Sequence, residues 1–519
     1  MYIDSRQLDS KTPIETDVCV IGGGAAGITL ALELAGRRLR VCVLESGGFF
    51  RDPQTHDLNG AVNVGRPYPV AATRLRYFGG TTNHWGGHCA PIRSLNFEER
   101  PWIGDAGWPM TRDELEPYYT RAHRVLRLGK YAYGLDDTVR KMRMPLLPFD
   151  SKRVETVVSR YNPLRMGREY RRAVDESGNV TTYLYANVTS INRHRVSNYV
   201  TDVSVATLSG RSFTVRAKYF VLATGGIENA RILLASSRIQ AAGLGNGHDL
   251  VGRYFMEHIW YTSGLILAAD PKVELPAYSG VRAIEPGVGV RCHIALPEAI
   301  VRQQQIPDFR AEVLVRRSDA FHDSVQSADA IRDDLAKLDF PDRFVSHLAN
   351  VIRNPAPVVK RLWADQPPLL YVLANHVEQI PNRDSRISLS NTRDALGLPR
   401  ATVDWRLSPL DRLGIVKAHR LIAAEVGRSR FGRMRIEIPD HEERILDQAS
   451  AGAHHMGTTR MHRDPRRGVV DPDCRVHGLP NLFVAGSSVF PSGGYSNPTL
   501  TIVALAIRMA DRLKELLEA

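Results

Sequence analysis

Three glycines near the start of the chain have the spacing of a phosphate-binding turn. Gly22, Gly24 and Gly27 form the pattern G-x-G-x-x-G, and Glu45 follows them in the sequence. Gly22 permits a tight turn, Gly24 lets the backbone approach a pyrophosphate, and Gly27 lets a helix lie close to a strand. The free N–H groups of that helix would face the phosphates. Glu45 would accept hydrogen bonds from the adenosine ribose, so the motif predicts a bound dinucleotide, either NAD or FAD.

The elements around these glycines are predicted to form a βαβ unit of about 30 residues. A β-branched apolar run over residues 17–21 predicts a buried strand, and apolar residues over 28–35 predict a helix that stops at Gly36. Residues 40–44 then predict a second buried strand. Because the glycines lie between a strand and a helix, a chance glycine-rich turn is disfavoured.

Two later segments have a similar pattern of strand, glycine turn and helix. Alternating apolar residues within 181–221 predict a β-hairpin, and residues 219–223 predict a buried strand that enters a glycine pair and a helix. Near the C-terminus, residues 481–487 predict a further strand, and residues 497–499 open the last helix with Pro498 at its first position. A dinucleotide that carries its redox ring permanently needs such extra segments to enclose the ring, which favours FAD.

The predicted fold is α/β, and α+β when the whole chain is considered. Residues 1–95, 180–255 and 450–519 are predicted to form a discontinuous, Rossmann-like FAD-binding domain. Residues 96–179 are predicted to be connecting and cap segments. Residues 256–449 are predicted to form an inserted substrate-binding domain on a mostly antiparallel β-sheet.

The composition indicates a folded globular protein. The 519 residues are 43% hydrophobic and 24% charged, which excludes long disorder and a bundle of membrane spans. The net charge of +12 is spread along the chain, which indicates a basic solvated surface rather than a nucleic-acid site. The sequence has no C-x-x-C pair, metal-ligand spacing or membrane-spanning apolar run, and its polar first residues are not expected to form a signal peptide. We therefore expect a cytoplasmic protein without a metal, unless a partner subunit carries an export signal for both.

Three separated motifs resemble those of the glucose-methanol-choline (GMC) oxidoreductases, FAD enzymes that oxidise alcohols. The motifs are residues 22–27, residues 79–85, and residues 454–460 followed by 497–499. The chain is most similar to the pyranose-oxidase-like bacterial branch of that family. The resemblance covers nearly the whole chain except the middle of the inserted domain.

This resemblance implies which residues contact the cofactor. In the family a Gly-Gly-Ser/Thr loop lies along the flavin, and Gly79, Gly80 and Thr81 match it. His84 matches a position where some pyranose oxidases attach the flavin covalently, whereas other relatives bind FAD without a bond. We expect non-covalent FAD, with a covalent bond through His84 as the alternative. The whole set of expected cofactor residues is Gly22, Gly24, Ala26, Gly27, Glu45, Gly79, Gly80, Thr81, Asn83, His84, Trp85, Val188, Ala223, Gly225, Gly486, Ser487, Asn497, Pro498 and Thr499.

The resemblance also implies two catalytic residues. His454 matches the active-site histidine of the family, and Asn497 matches the opposite position, which is histidine or asparagine. Alcohol oxidation removes a hydroxyl proton and a carbon-bound hydride, and a histidine can accept that proton near neutral pH. We expect His454 to take the proton, Asn497 to fix the hydroxyl and flavin N5 to accept the hydride. His455 would point away from the flavin if the segment is extended.

The expected function is FAD-dependent oxidation of a CH–OH group of a sugar, glycoside or polyol to a carbonyl. The substrate class follows from the resemblance to the branch. One alternative is a non-sugar alcohol, such as an aliphatic, sterol or choline-like compound. Another is a non-catalytic flavoprotein subunit. The electron acceptor is dioxygen, which makes an oxidase, or a quinone or cytochrome, which makes a dehydrogenase, and an accessory subunit is compatible with either.

Overall fold

A computed structural model describes residues 1–8, 13–136, 138–139, 143–317, 323–337, 344–363, 369–437 and 446–518. Its strands are β1 (Tyr2–Asp4), β2 (Ile14–Ile21), β3 (Val41–Leu44), β4 (Ala61–Asn63), β5 (His88–Cys89), β6 (Glu155–Tyr161), β7 (Val180–Leu184), β8 (Asn187–Arg193), β9 (Val200–Ala206), β10 (Ser212–Leu222), β11 (His258–Ala268), β12 (Arg282–Glu285), β13 (Val288–Ala295), β14 (Phe309–Arg317), β15 (Leu369–Glu378), β16 (Arg386–Arg393), β17 (Pro399–Asp404), β18 (Gly432–Arg435), β19 (Ser450–Ala451) and β20 (Leu482–Val484). Its α-helices are α1 (Ala25–Leu34), α2 (Pro53–Asp57), α3 (Ser94–Phe97), α4 (Arg112–Val125), α5 (Met166–Glu169), α6 (Arg171–Asp175), α7 (Gly226–Ala235), α8 (Pro276–Ser279), α9 (Glu298–Gln304), α10 (Asp323–Lys337), α11 (Phe344–Arg353), α12 (Ala356–Trp363), α13 (Pro409–Arg428) and α14 (Thr499–Glu518).

The first sheet contains the N-terminal βαβ unit. Its strand order is β1-β7-β3-β2-β10-β9-β8, and β20 also pairs with β10. The strands from β1 to β10 in that order, together with β20, pair in parallel, whereas β9 and β8 form an antiparallel edge. Strands β2 and β3 with helix α1 between them confirm the predicted βαβ unit.

The predicted hairpin is also present, because Val203 pairs with Val215 and Val205 with Phe213. The strand predicted separately over residues 219–223 is instead the second half of β10. Strand β2 pairs with β10 from Val215 to Leu222, so the hairpin arm continues into the parallel sheet without a break.

The inserted region is built on a second sheet with the order β18-β11-β15-β14-β13-β6-β5. Strand β12 pairs with β13 and β19 pairs with β11. All of these pairings are antiparallel, which confirms the predicted sheet type. Strands β5, β6 and β19 lie outside the range 256–449, so segments on both sides of that range pair into this sheet.

Each large sheet has its own apolar core, and a smaller sheet lies beside them. Valines and leucines of β2, β3 and β10 pack against α1, α7 and α14 in the first core. Residues of β11, β13 to β15 and α13 form the second. Strands β16, β17 and β4 form the small sheet. Within the described ranges, none of the helices has the length and apolar character that a membrane crossing needs.

The C-terminal helix α14 packs against α1 and α4, which fixes its N-terminus near the glycine turn. The Tyr119 hydroxyl of α4 and the Thr501 hydroxyl of α14 lie 3.0 Å apart. The helix begins at Thr499, one residue later than predicted. The Pro498 carbonyl accepts the N–H of Ile502, so Pro498 lies at the cap rather than at the first helical position.

Candidate active site

Residues of both large sheets enclose a cavity of about 900 Å³. Most of the residues that the sequence analysis assigned to the cofactor line it: Gly22, Gly24, Ala26, Glu45, Gly80, Thr81, His84, Trp85, Val188, Ala223, Gly225, Gly486, Ser487, Asn497, Pro498 and Thr499. His454 lines it as well. The other three, Gly27, Gly79 and Asn83, lie behind this lining and have supporting contacts.

The first three glycines have the geometry that their spacing predicts. Gly22 has φ of +108°, and a Cβ atom there would lie 2.6 Å from the Ala223 carbonyl oxygen. A Cβ at Gly27 would lie 1.9 Å from the Gly22 carbonyl oxygen, so the helix can approach the turn only with glycine. A Cβ at Gly24 would have no protein atom within 4 Å and would enter the cavity. Gly22 and Gly27 therefore serve packing, and Gly24 keeps space for a ligand.

Two further glycines leave the same kind of space. A Cβ at Gly225 or Gly486 would also have no protein atom within 4 Å, and both residues line the cavity with φ of +87° and +110°. Three backbone segments thus come to the cavity surface without side chains in front of them. This arrangement fits a long ligand such as FAD that lies against the main chain.

Glu45 follows β3 and lies beside the glycine turn. Its Oε2 accepts the N–H of Gly23 and its Oε1 accepts the N–H of Gly47, both at 2.9 Å. The side chain is buried, and burial raises the pKa of this carboxyl. These two bonds hold the carboxyl at the cavity wall, and each oxygen can still accept from a ribose hydroxyl.

The glycine-rich loop is fastened directly to the first turn. The Gly79 N–H donates to the Gly23 carbonyl at 2.8 Å, and the Asn83 amide donates to the Phe78 carbonyl at 2.9 Å. Gly79 and Asn83 therefore shape the loop, and the residues between and after them face the cavity. Nε2 of His84 lies 2.9 Å from the Tyr77 hydroxyl.

His454 and Asn497 meet on one side of the cavity although 43 positions separate them. The amide Nδ2 of Asn497 lies 3.4 Å from Nε2 of His454. The neighbouring His455 also lines the cavity, where its Nε2 lies 3.1 Å from the Thr73 hydroxyl and its ring stacks on Phe255. The two imidazoles therefore border the same cavity with different partners.

Arg310 of β14 determines how the Asn497 amide is turned. One guanidinium nitrogen of Arg310 donates to Oδ1 of Asn497 at 3.2 Å. A guanidinium can only donate, so the amide oxygen must face Arg310. The amide nitrogen then faces His454. Nδ2 is the hydrogen-bond donor that Asn497 and His454 together present to the cavity.

His258 lies on the other side of the His454 ring. The Nδ1 atoms of the two rings are 2.7 Å apart, and Nε2 of His258 lies 2.8 Å from the Gly494 carbonyl oxygen. The His258 side chain is completely buried. The Gly494 carbonyl, the two histidine rings and the Asn497 amide thus form a continuous row of hydrogen bonds.

Both rings are neutral at physiological pH. Burial lowers the pKa of His258 to about 4. Burial also lowers the pKa of His454 well below its ordinary 6.5, and the neighbouring His258, His455 and Arg310 add to the effect. A neutral imidazole has one nitrogen that can accept a proton, which is what a general base requires.

The sequence motifs do not identify the polar residues that the second sheet brings to the cavity. These residues are His88, Trp260, Glu312 and His376. Trp260 pairs with His376 across β11 and β15, and His376 pairs with Arg310 across β15 and β14. Polar residues at every second position of these strands, such as His258 and Trp260 or Arg310 and Glu312, were the signal in the sequence.

His376 has a defined tautomer in this row. Its Nδ1 accepts from the Trp260 indole at 3.1 Å and lies 3.3 Å from an Arg310 nitrogen. Both neighbours only donate, so the neutral ring carries its proton on Nε2. That atom lies 3.7 Å from Oε1 of Glu312, which places a donor beside a carboxylate. In the described residues no group of three or more histidine, cysteine or acidic side chains is arranged to hold a metal ion.

Two family models match this chain. Residues 381–506 match the GMC oxidoreductase model, and residues 17–241 match the model for FAD dependent oxidoreductases. The C-terminal part of the chain is therefore similar to the GMC oxidoreductases, and its N-terminal part to the FAD dependent oxidoreductases. FAD is its cofactor, and alcohol oxidation is its class of reaction. The match to the GMC model includes both His454 and Asn497.

Curated relatives match this chain over almost its whole length. The 6'''-hydroxyparomomycin C oxidase of Streptomyces lividus is 25% identical over 95% of this chain and 90% of that protein. The fructose dehydrogenase large subunit of Gluconobacter japonicus is 23% identical over 97% of this chain and 98% of that protein. The crystal structure of formate oxidase has the same fold, with a TM-score of 0.58 and 17% identity over 98% of this chain and all of that one.

Proposed function

We propose that this protein oxidises a CH–OH group of a sugar, glycoside or polyol to a carbonyl. The observation that carries the proposal is the 3.4 Å approach of Asn497 Nδ2 to His454 Nε2. This pair faces a cavity whose other wall is the glycine turn of a dinucleotide site. A proton acceptor and a hydrogen-bond donor therefore lie beside the expected redox cofactor.

The two residues have complementary parts in the proton step. The substrate hydroxyl contacts both residues from the cavity, so that its oxygen accepts from Asn497 Nδ2 and its proton passes to His454 Nε2. The buried guanidinium of Arg310, which holds Asn497, places positive charge close to the oxygen as it becomes an alkoxide. FAD, when bound, supplies the acceptor for the hydride that leaves the carbon.

The cofactor is held by the residues that the glycine segments bring to the cavity. We assign the pyrophosphate to the backbone around Gly24 and the N-terminus of α1. Glu45 would bind the adenosine ribose, and the loop from Gly80 to Trp85 would hold the flavin. The N-terminus of α14, at Asn497 to Thr499, would supply its positive dipole end to the flavin. FAD would be held without a covalent link, because Nε2 of His84 is engaged by the Tyr77 hydroxyl.

The polar wall of the second sheet supports a substrate with several hydroxyl groups. The carboxylate of Glu312 lines the cavity and can accept hydrogen bonds from hydroxyls of a sugar ring. Trp260 is 40% exposed and offers an aromatic face beside them. Arg291 already donates to Oε2 of Glu312 at 2.6 Å, so an aliphatic alcohol or a sterol would leave only Oε1 without a hydroxyl partner, which costs binding energy. One of the characterised relatives is named for fructose, a sugar.

The test is anaerobic mixing of the FAD-loaded protein with a panel of monosaccharides, glycosides, polyols and aliphatic alcohols. Loss of the oxidised flavin absorbance with members of the first three groups supports the proposal. Loss of absorbance only with aliphatic alcohols, sterols or choline contradicts the substrate class. No loss with any compound favours the non-catalytic subunit.

The same preparation separates the two kinds of electron acceptor. Peroxide that appears on admitting air to the reduced enzyme identifies an oxidase. A reduced flavin that persists in air and is reoxidised by a quinone or cytochrome identifies a dehydrogenase. One relative is named as a large subunit. Purification from the native host would show whether an accessory subunit copurifies with this chain.

A further inference from the structure

We propose that His258 is a positioning residue that fixes the tautomer of His454. In this arrangement Nδ1 of His454 carries the proton and Nε2, the atom beside Asn497, is free to accept one. The proposal rests on the proposed function of His454 as the base. It assigns a role to a residue that no motif in the sequence indicates.

The first part of the argument begins at the Gly494 carbonyl. A carbonyl oxygen only accepts, so Nε2 of His258 must donate across their 2.8 Å contact. Because burial keeps His258 neutral, its Nδ1 has no proton and accepts. The 2.7 Å contact between the two Nδ1 atoms then requires Nδ1 of His454 to donate.

The second part begins independently at Arg310. Its guanidinium donates to Oδ1 of Asn497, so the Asn497 amide presents its N–H groups to His454. Nε2 of His454 can only be the acceptor in that contact. Both ends of the row therefore demand the same tautomer. The opposite tautomer would set two acceptors against each other at His258 and two donors against each other at Asn497.

The carbonyl that starts the row is held rigidly. The N–H of Gly494 donates to Oε1 of Glu378 at 3.3 Å, and Glu378 forms a bidentate ion pair with Arg100 at 2.6 and 2.7 Å. Glu378 and Arg100 are almost completely buried. His258 itself pairs with Glu378 across β11 and β15. Because each partner is fixed by the sheet, the direction of the row is built into the fold.

Without His258 only the longer, 3.4 Å contact with Asn497 still favours one tautomer of His454, because the 2.7 Å contact is lost. A catalytic histidine in the wrong tautomer slows its reaction by about 10⁴-fold in a well-studied hydrolase triad. General base catalysis as a whole contributes about 10²- to 10⁴-fold. A smaller fraction of His454 with its proton on Nδ1 should therefore slow flavin reduction and leave substrate affinity nearly unchanged.

The experiment compares His258→Phe with His258→Asn in the full-length, FAD-loaded protein. Phenylalanine removes the acceptor, whereas asparagine keeps an oxygen close to the position of Nδ1. We expect His258→Phe to reduce its flavin at least ~10²-fold more slowly at saturating substrate, with KM little changed. We expect His258→Asn to recover most of that loss. Equal rates in wild type and His258→Phe, or equal losses in both variants, would overturn the proposal.

A matched control removes a buried imidazole from a helix that packs against the same sheet. His419 of α13 lies 3.1 Å from Oδ1 of Asn375 and is as buried as His258. His419→Phe should lower stability while flavin reduction stays close to the wild-type rate. A loss in His419→Phe equal to that in His258→Phe would assign the effect to core disruption and would contradict the proposal.

A second measurement needs no substrate and is therefore independent of the proposed function. Nitrogen-15 NMR of histidine-labelled, FAD-loaded protein distinguishes protonated from unprotonated ring nitrogens, and the His454 signals are assigned by their absence in His454→Gln. We expect a proton on Nδ1 in the wild type and a mixture of tautomers in His258→Phe. A proton on Nε2 in the wild type would refute the tautomer even if sugars reduce the flavin. The expected tautomer in a protein that no sugar reduces would leave the positioning role intact and reject the substrate class.

Discussion

The backbone N–H of His454 donates a 2.7 Å hydrogen bond to Oε2 of Glu257. The other oxygen of Glu257 accepts the Tyr68 hydroxyl. Glu257 and His258 are consecutive, so one residue holds the main chain of His454 and the next contacts its ring. Two consecutive residues at the start of strand β11 therefore hold both the backbone and the ring of His454.

This relationship predicts a pH-dependent contribution of Glu257 to stability. Burial raises the pKa of Glu257 to about 7, against 4.5 for the free carboxyl, and outweighs its hydrogen bonds. Between these two pKa values the native state binds more protons than the unfolded chain. The contribution of Glu257 to the free energy of unfolding therefore falls as the pH rises. Glutamine does not titrate. The stability of wild type relative to Glu257→Gln should fall between pH 5 and pH 8, as measured by denaturant unfolding, and a constant difference would contradict the assignment.

A pair of glycine variants separates cofactor binding from folding. In Gly24→Ala the new Cβ meets no protein atom, so the apoprotein should keep its stability while FAD binds more weakly. In Gly27→Ala the Cβ would lie 1.9 Å from the Gly22 carbonyl oxygen, and such overpacking costs about 1–3 kcal/mol or more. The measurements are apoprotein thermal unfolding and FAD titration. Equal apoprotein stabilities for the two variants would contradict this division of roles.

The low pKa of His454 predicts the pH profile of flavin reduction. Only the neutral imidazole accepts the substrate proton, and burial together with His258, His455 and Arg310 lowers the pKa of His454 well below 6.5. The rate of anaerobic flavin reduction should stay on its plateau as the pH falls through 6.5 and decline only at lower pH. A decline of the rate centred at or above pH 6.5 would contradict the buried environment of His454.

The contact of His84 with Tyr77 predicts a flavin that denaturation releases. Precipitation with acid should leave a yellow supernatant and a colourless pellet. His84→Ala should still purify with FAD, since the other contacts of the loop do not involve its ring. Flavin that remains with the wild-type pellet and not with the His84→Ala pellet would establish the covalent alternative.

The nucleotide half of the site is predictable from sequence because its signals are local. Gly22, Gly24 and Gly27 lie within six positions of one another. The strand before them and the helix after them are predicted by periodic apolar residues. Their geometry depends on contacts between near neighbours, such as the Gly27 approach to the Gly22 carbonyl.

The substrate side is different, because its residues come together only through strand pairing. Trp260, Glu312 and His376 belong to three strands, and their neighbourhood depends on the register of β11, β14 and β15. The sequence predicts that such an antiparallel sheet exists and leaves its register open. His258 was missed for the same reason, since its partner His454 is 196 positions away.

The most direct test of the account is single-turnover flavin reduction in His454→Ala under anaerobic conditions, with a sugar that reduces the wild type. We expect the variant to keep its FAD spectrum and to be reduced about 10²- to 10⁴-fold more slowly, because it lacks the proton acceptor. Reduction at the wild-type rate with FAD fully bound would contradict the claim that the imidazole beside Asn497 is the base.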